Sequence, residues 1–431
     1  MRILEISERL NPREVNLLLP RAEQSIDSVM TDVQALISEV ETHGEKAIRD
    51  QISRFDQVNH PVLKVEKQQL DEAVEQVDGS LIDAMQESIA RLRKSSQDAI
   101  PQQVVTEYGH LAKVVQRYSP VDSVAVYAPG GKAVYPSSVI MNVVPAQVAG
   151  VGRIGLFSPP QENGLPAVEV LAAAALLEID EVYSIGGVGA VASAAFGIES
   201  IGLEPFRMFT GPGNIYLAAA KRALRGLIGI DSEAGPTEIM VLADEQSNVD
   251  FVSSDLLSQA EHDENAACVL VTTSLQLAEN VNANLLTRLE TTENRARASA
   301  SLEGPQSIIL VVDSLQSMIT AANEYAAEHL SLQLADNDYA SGQITNAGAL
   351  FIGPYSPVSL GDYMAGSNHV LPTGGQGKHS SGLSVLTFLR AQQVIEYSKQ
   401  ELLELEPKLI SFTRAERLSA HGEAISARRS H

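Results

Sequence analysis

Residues 123–157, SVAVYAPGGKAVYPSSVIMNVVPAQVAGVGRIGLF, decide the fold class. Ser123–Tyr127 (SVAVY) is a short apolar run closed by the turn Ala128-Pro-Gly-Gly131. Such a run, bounded by turn residues, reads as a buried strand. Residues 137–150 then carry the apolar spacing of a helix, and Arg153–Phe157 (RIGLF) is a second short apolar run. A strand, a helix and a strand, with both strands apolar throughout, describe parallel strands covered on both faces.

The pattern continues toward the C-terminus. Further runs are Glu181–Ile185, Glu238–Leu242, Cys268–Thr272, Ser307–Val312 and Ala349–Ile352. Helices are predicted over 166–178, 190–197, 214–227, 248–264, 275–290 and 314–328. This many strands fits two open α/β units better than one, with a boundary near residue 235. The N-terminal stretch, to about residue 120, reads as helical: 32–40 and 67–93 have helical spacing, the latter split near Gly79 and Ser80. From residue 383 the chain returns to helix, Val385–Leu405 and Arg414–Ala427, separated by Pro407.

Composition narrows the function. The chain has 431 residues and a formal charge of −23, which argues against nucleic-acid binding and against anionic membranes. No apolar stretch is long enough to span a bilayer, and the N-terminus MRILEISERL lacks the apolar core of a signal peptide, so a cytoplasmic setting is expected. The single cysteine, Cys268, sits in an apolar strand and reads as a core thiol. Any zinc site must therefore use His, carboxylate or amide ligands.

Three turns stand at strand ends. Tyr127 closes the first strand, where ligands of open α/β sheets gather. Gly187-x-Gly189-x-x-Ala192 resembles a dinucleotide fingerprint, or is a tight turn without ligand. Gly211-Pro-Gly-Asn214 opens a helix, where Asn214 either holds a phosphate or ribose or caps the helix. Gln259 and His262 are three residues apart on the helix at 248–264, so they share a face. With Asp362, in a Gly/Asp turn, and His421, on the last helix, they make a plausible zinc set; each alone also reads as a surface or capping residue. Glu328 and His329, at a helix end, can serve two separate proton transfers, or His329 simply complements the helix dipole.

Over nearly its whole length the sequence resembles the histidinol dehydrogenase family. The resemblance lies in YAPGGKAVYPSSVIMN (127–142), GPGNIYLAAAKR (211–222), GID…AGPTE (229–238), DLLSQAEHD (255–263), AAEHL (326–330), GDYMAGSNHVLPTGG (361–375), SSGLSVLTFLR (380–390) and AERLSAH (415–421). It implies two Rossmann-like α/β domains, 121–235 and 236–382, the second with the zinc and catalytic residues. It implies a helical region at 1–120, partly packed on the second domain, and a C-terminal segment, 383–431, swapped onto the partner of a homodimer. It implies one zinc per subunit and NAD, with L-histidinol oxidised through L-histidinal to L-histidine by two NAD. By position, Gln259, His262, Asp362 and His421 would bind zinc, and Glu328 and His329 would accept protons. Tyr127, Asn214 and the position of Gly189 would meet NAD. Thr237, His369 and Glu416 would meet substrate, together with His329 and the zinc ligands.

Some positions depart from the family pattern. Gly189 replaces a glutamine, Thr237 replaces a serine, and Ser232-Glu233 replaces an apolar pair. Arg414 and Arg417 flank Glu416 where acidic and glycine residues are usual. These leave open a paralogue that oxidises another small primary alcohol, such as a hydroxy acid or sulfonate. A non-catalytic zinc-bound sensor is the alternative from another class.

Overall fold

The computed structural model describes residues 1–429 except 23, 24, 110, 131–133 and 234. Its strands, in chain order, begin with β1 (Arg2–Glu5), β2 (Val104–Gly109), β3 (Ala112–Pro120), β4 (Ser123–Tyr127), β5 (Arg153–Phe157), β6 (Glu181–Tyr183) and β7 (Met208–Thr210). They continue with β8 (Gly229–Ile230), β9 (Glu238–Ala243), β10 (Ala267–Thr272), β11 (Ile308–Val311), β12 (His329–Gln333), β13 (Ala349–Ile352) and β14 (Leu389–Tyr397).

Two parallel sheets form the body. One has the order β6-β5-β4-β7-β8, the other β1-β11-β10-β9-β12-β13. Strands β4, β9, β10, β11 and β12 are buried throughout, as expected for strands covered on both faces. In each sheet the order reverses beside one strand, β4 in the first and β9 in the second. The chain crosses from the first sheet to the second between Ile230 and Glu238.

The N-terminal segment serves both sheets. β1 extends the six-stranded sheet by pairing with β11, and Leu10, Val15 and Leu19 join that sheet's core. Helix Met30–His43 packs instead on helices Gly187–Phe196 and Ile215–Leu224 of the five-stranded unit. The expected split near Gly79 appears as two helices, Lys67–Gln76 and Gly79–Asp98.

Helix Pro136–Ala149 carries Pro145 in its interior. Proline has no N–H for the carbonyl four residues back. That carbonyl, Met141 O, instead accepts from Asn368 Nδ2 at 2.6 Å. The gap in the helix ladder thus docks the loop that carries His369 onto the first unit.

Several expectations fail. Val104–Gly109 and Ala112–Pro120 form an antiparallel pair of strands, and β1 is also a strand, where helix was expected. Within the supposed helix Val385–Leu405, residues 389–397 are β14, paired with β3 from Leu389↔Pro120 to Tyr397↔Ala112. That strand is mostly exposed, so it has no apolar alternation to betray it, and LRAQQVIEY passes for helix. Pro407 does not separate two helices; it lies inside Lys399–Ala415. The break comes at Glu416–Leu418, where Arg417 has φ 57°, and Ser419–Ser426 follows.

Candidate active site

The proton-transfer candidates sit where two segments of the six-stranded sheet begin. The expected helix over 314–328 stops at Tyr325, because Ala326 turns left-handed (φ 50°). Glu328 therefore precedes β12 and His329 is its first residue, neither being helical. Both are buried. Beside them β9 starts at Glu238, with Thr237 just before it.

Glu328 Oε2 accepts two bonds, from Thr237 Oγ1 at 2.5 Å and from the Glu238 N–H at 2.9 Å. Burial nevertheless pushes the Glu328 carboxyl above the usual range, a shift that His329 nearby opposes. His329 Nδ1 faces the Glu238 carbonyl at 3.1 Å and lies 3.5 Å from Glu328 Oε2. A carbonyl only accepts, so Nδ1 carries a hydrogen, which in the neutral tautomer leaves the lone pair on Nε2. One residue's main chain thus holds both groups.

The metal candidates converge in part. Helix Val249–Ala260 ends before His262, which lies in the following turn with its N–H on Gln259 O at 3.2 Å. The shared helical face becomes a shared turn. Gln259 Nε2 donates to Thr237 Oγ1 at 2.5 Å, which leaves the amide oxygen for another partner. Asp362 is in the last turn of a short helix, Val358–Tyr363, rather than in a loop. Its carboxylate raises the His262 pKa, an effect that desolvation outweighs, so the imidazole lies below its ordinary value. His369 Nδ1 bonds the Asp362 carbonyl at 3.0 Å, and Nε2 is 3.4 Å from Ser138 Oγ. Burial lowers its pKa too, with His329 and His262 adding to the effect. An amide oxygen, neutral imidazoles and a carboxylate are a donor set that suits zinc.

Glu416 and His421 do not join this group. Both are exposed, and His421 is on Ser419–Ser426, which packs on Lys399–Ala415. Between 399 and 429 only Glu406 and Gly422 are buried. Among the described residues no three His, Cys, Asp or Glu side chains gather into a metal cluster.

The cofactor candidates lie at the carboxyl ends of the five-stranded sheet. The Tyr127 hydroxyl accepts from the Gly187 N–H at 3.2 Å, and burial pushes its pKa up to about 12. Asn214 caps helix Ile215–Leu224 through the N–H groups of Tyr216 and Leu217. Gly211 (φ 122°) presses on Tyr127: a Cβ would lie 2.4 Å from the Tyr127 carbonyl. Its N–H bonds Asp231 Oδ2 at 2.9 Å, its carbonyl accepts from Lys221 Nζ at 3.1 Å, and Lys221 and Asp231 form a buried ion pair. Gly189 lies inside helix Gly187–Phe196, where a Cβ would meet Ile48 Cδ1 and Gln51 Oε1 at 3.2 Å. A longer side chain there has to displace these two. Gly131 lies outside the described residues. At the matching end of the six-stranded sheet the loops close on each other: Ser247 Oγ bonds the Gln333 carbonyl, and the Ala335 N–H bonds Asp244 Oδ2 at 2.6 Å.

Other residues gain structural reasons. Glu233 accepts from Arg222 Nη2 at 2.6 Å, so the departure at 232–233 carries an ion pair. Cys268 is buried and its thiol pushed up to about 12, which makes it inert. Sequence reading missed Arg21 and Glu238. Arg21 gives no sequence signal, whereas Glu238 stands out as a charge opening the apolar run EIMVLA.

Two parallel sheets over a buried carboxylate–imidazole pair define an α/β enzyme. The chain belongs to the histidinol dehydrogenase family, whose model matches residues 19–429. It is 48% identical over 413 residues to the histidinol dehydrogenase of Leifsonia xyli subsp. xyli, covering 95% of each chain. It is 49% identical over 420 residues to that of Corynebacterium jeikeium, covering 97% of this chain and 93% of that one. The crystal structure of histidinol dehydrogenase from Elizabethkingia anophelis superposes with a TM-score of 0.94 at 30% identity, covering 100% of this chain and 98% of that one.

Proposed function

We propose that this enzyme oxidises L-histidinol through L-histidinal to L-histidine, with two NAD consumed per product. The observation that carries the reading is the buried Glu328–His329 pair held on the main chain of Glu238, with Gln259 tied to it through Thr237. In the first step His329 Nε2 takes the hydroxyl proton as hydride leaves the carbinol carbon. In the second, Glu328 takes a proton from the water that adds to the aldehyde carbon, and the hydrate loses hydride to give the carboxylate. Each hydride goes to NAD, which when bound supplies the acceptor. Over both steps one alcohol, two NAD and one water yield one carboxylate, two NADH and three protons.

Gln259 Oε1, His262 and Asp362, completed by His421, would hold zinc, which when bound supplies a Lewis-acid clamp for the substrate's amine and imidazole nitrogens. His369 and Thr237 line the same region; Glu416, with His421, would reach it from a second copy. The exposure of His421 and Glu416 in the single chain supports a homodimer in which the tail from 383 completes the partner's site. Exposed Val104, Tyr108, Ile395 and Phe412 are apolar groups such a dimer would cover. The order β6-β5-β4-β7-β8, reversing at β4, supports a Rossmann-like cofactor unit over 121–235, with NAD near Tyr127, Asn214 and the Gly189 helix. Residues 236–382 then form the second, catalytic unit.

No helix among the described residues is long and apolar enough to cross a membrane, in keeping with a cytoplasmic enzyme. Purified protein with zinc, NAD and L-histidinol tests the reading: two NADH per histidinol are expected. Turnover of a different primary alcohol with none of histidinol would replace it.

A further inference from the structure

We propose that Arg21 and Glu238 are positioning residues for the proton-transfer pair. The proposal rests on the reading of Glu328 and His329 as proton carriers. Glu238 holds both with its main chain, the N–H on Glu328 and the carbonyl on His329 Nδ1. The Glu238 side chain, 4% exposed, is in turn paired with Arg21 Nη1.

The same guanidinium reaches the other segment. Arg21 Nη2 donates to the carbonyl of Tyr325, and Arg21 Cζ lies 3.8 Å from the Tyr325 ring centroid. Tyr325 ends its helix, and only Ala326 and Ala327 separate it from Glu328. Arg21 thus bridges the start of β9 and the turn into β12, the two segments whose separation sets the Glu328–His329 geometry. A planar fork can make both contacts at once, whereas a lysine offers a single point charge. The N-terminal segment thus contacts both segments through the Arg21 side chain.

The Glu238 carboxylate is buried, so Arg21→Met alone leaves it uncompensated and lowers stability as well as activity. The informative variant is R21M/E238L, which removes both charges. Its thermal midpoint is expected to recover toward wild type. Its kcat for L-histidinol is expected to stay at least about tenfold down, with both KM values within about twofold of wild type, because the carriers lose their register while binding groups remain. R21K, which keeps the charge and loses the fork, is expected to show the same kcat–KM split more weakly. A double variant, or R21K, with wild-type kcat would overturn the proposal. E328Q and H329N are assayed alongside. If they turn over normally, the proton-carrier reading itself falls and takes this one with it; if they are dead while R21M/E238L is fully active, only the positioning role falls.

Discussion

Thr237 joins the two chemistries at the smallest scale. Its hydroxyl accepts from Gln259 and donates to Glu328, so a metal candidate and a proton-transfer candidate share one oxygen. Thr237→Val keeps the shape and removes both bonds. Losing bonds to a buried carboxylate and to a ligand amide is expected to lower kcat by about one to two orders of magnitude and to weaken zinc retention, whereas Thr237→Ser keeps both. Turnover and bound zinc after dialysis measure this. Glu328 makes a separate prediction. Burial raises its carboxyl above the ordinary value of 4.5, and the base must be ionised to act. As pH falls, oxidation of the aldehyde should therefore fail at a higher pH than an ordinary glutamate would impose. A pH–rate profile with L-histidinal shows that limb, and E328Q should abolish it.

Helices and strands set where these residues point, and their buried polar groups make further predictions. On helix Val249–Ala260, Asp255 accepts from Gln333 Nε2 of β12 at 2.8 Å, and burial raises its pKa to about 6 from 3.8. Between those values the folded chain holds a proton that the unfolded chain has released. Stability therefore falls as pH rises through about 4 to 6, by up to about 3 kcal/mol. Asp255→Asn removes that dependence, and the unpartnered Gln333 Oε1 is there to accept from the new amide. Thermal midpoints of the variant should exceed wild type by more at pH 7.5 than at pH 4.5. Lys221→Met, by contrast, strands Asp231 beside the Gly211 turn, and a cost of about 3–5 kcal/mol is expected in denaturant titrations.

The parallel strands were legible because burial on both faces leaves unbroken apolar runs, as in SVAVY and CVLVT. β12 was not, since HLSLQ alternates leucines with polar residues instead of running unbroken, and AAEHL before it favours helix. The turn that ends that helix uses Ala326 in a left-handed conformation, where no glycine marks the stop. The family resemblance named the candidate ligands and carriers. It could not place Glu328 and His329 beside the amino ends of β9 and β12, nor reveal that Glu238 holds these two, because that contact is made by the main chain.

At the scale of the whole molecule, the exposed tail leads to a complementation experiment. H329N and H421N are each expected to be inactive. If a site takes His329 from one copy and His421 from the other, a mixed dimer has one site with both defects and one with neither. Co-refolding the two inactive variants in equal amounts should return about a quarter of wild-type activity. No recovery would place His421 and His329 in the same copy's site.

The pairing of β1 with β11 has a consequence of its own during synthesis. Arg2–Glu5 leave the ribosome long before their partners, Ile308–Val311. At about 5–20 residues per second, that leaves the opening strand waiting roughly 15–60 s for a neighbour. The five-stranded sheet, complete by Ile230, can assemble in that interval. The nascent chain therefore carries an unpaired strand for most of its translation, a segment open to chaperone capture or to mispairing with another nascent copy. Slowing elongation should lower the soluble yield of this protein more than that of a version lacking residues 1–6.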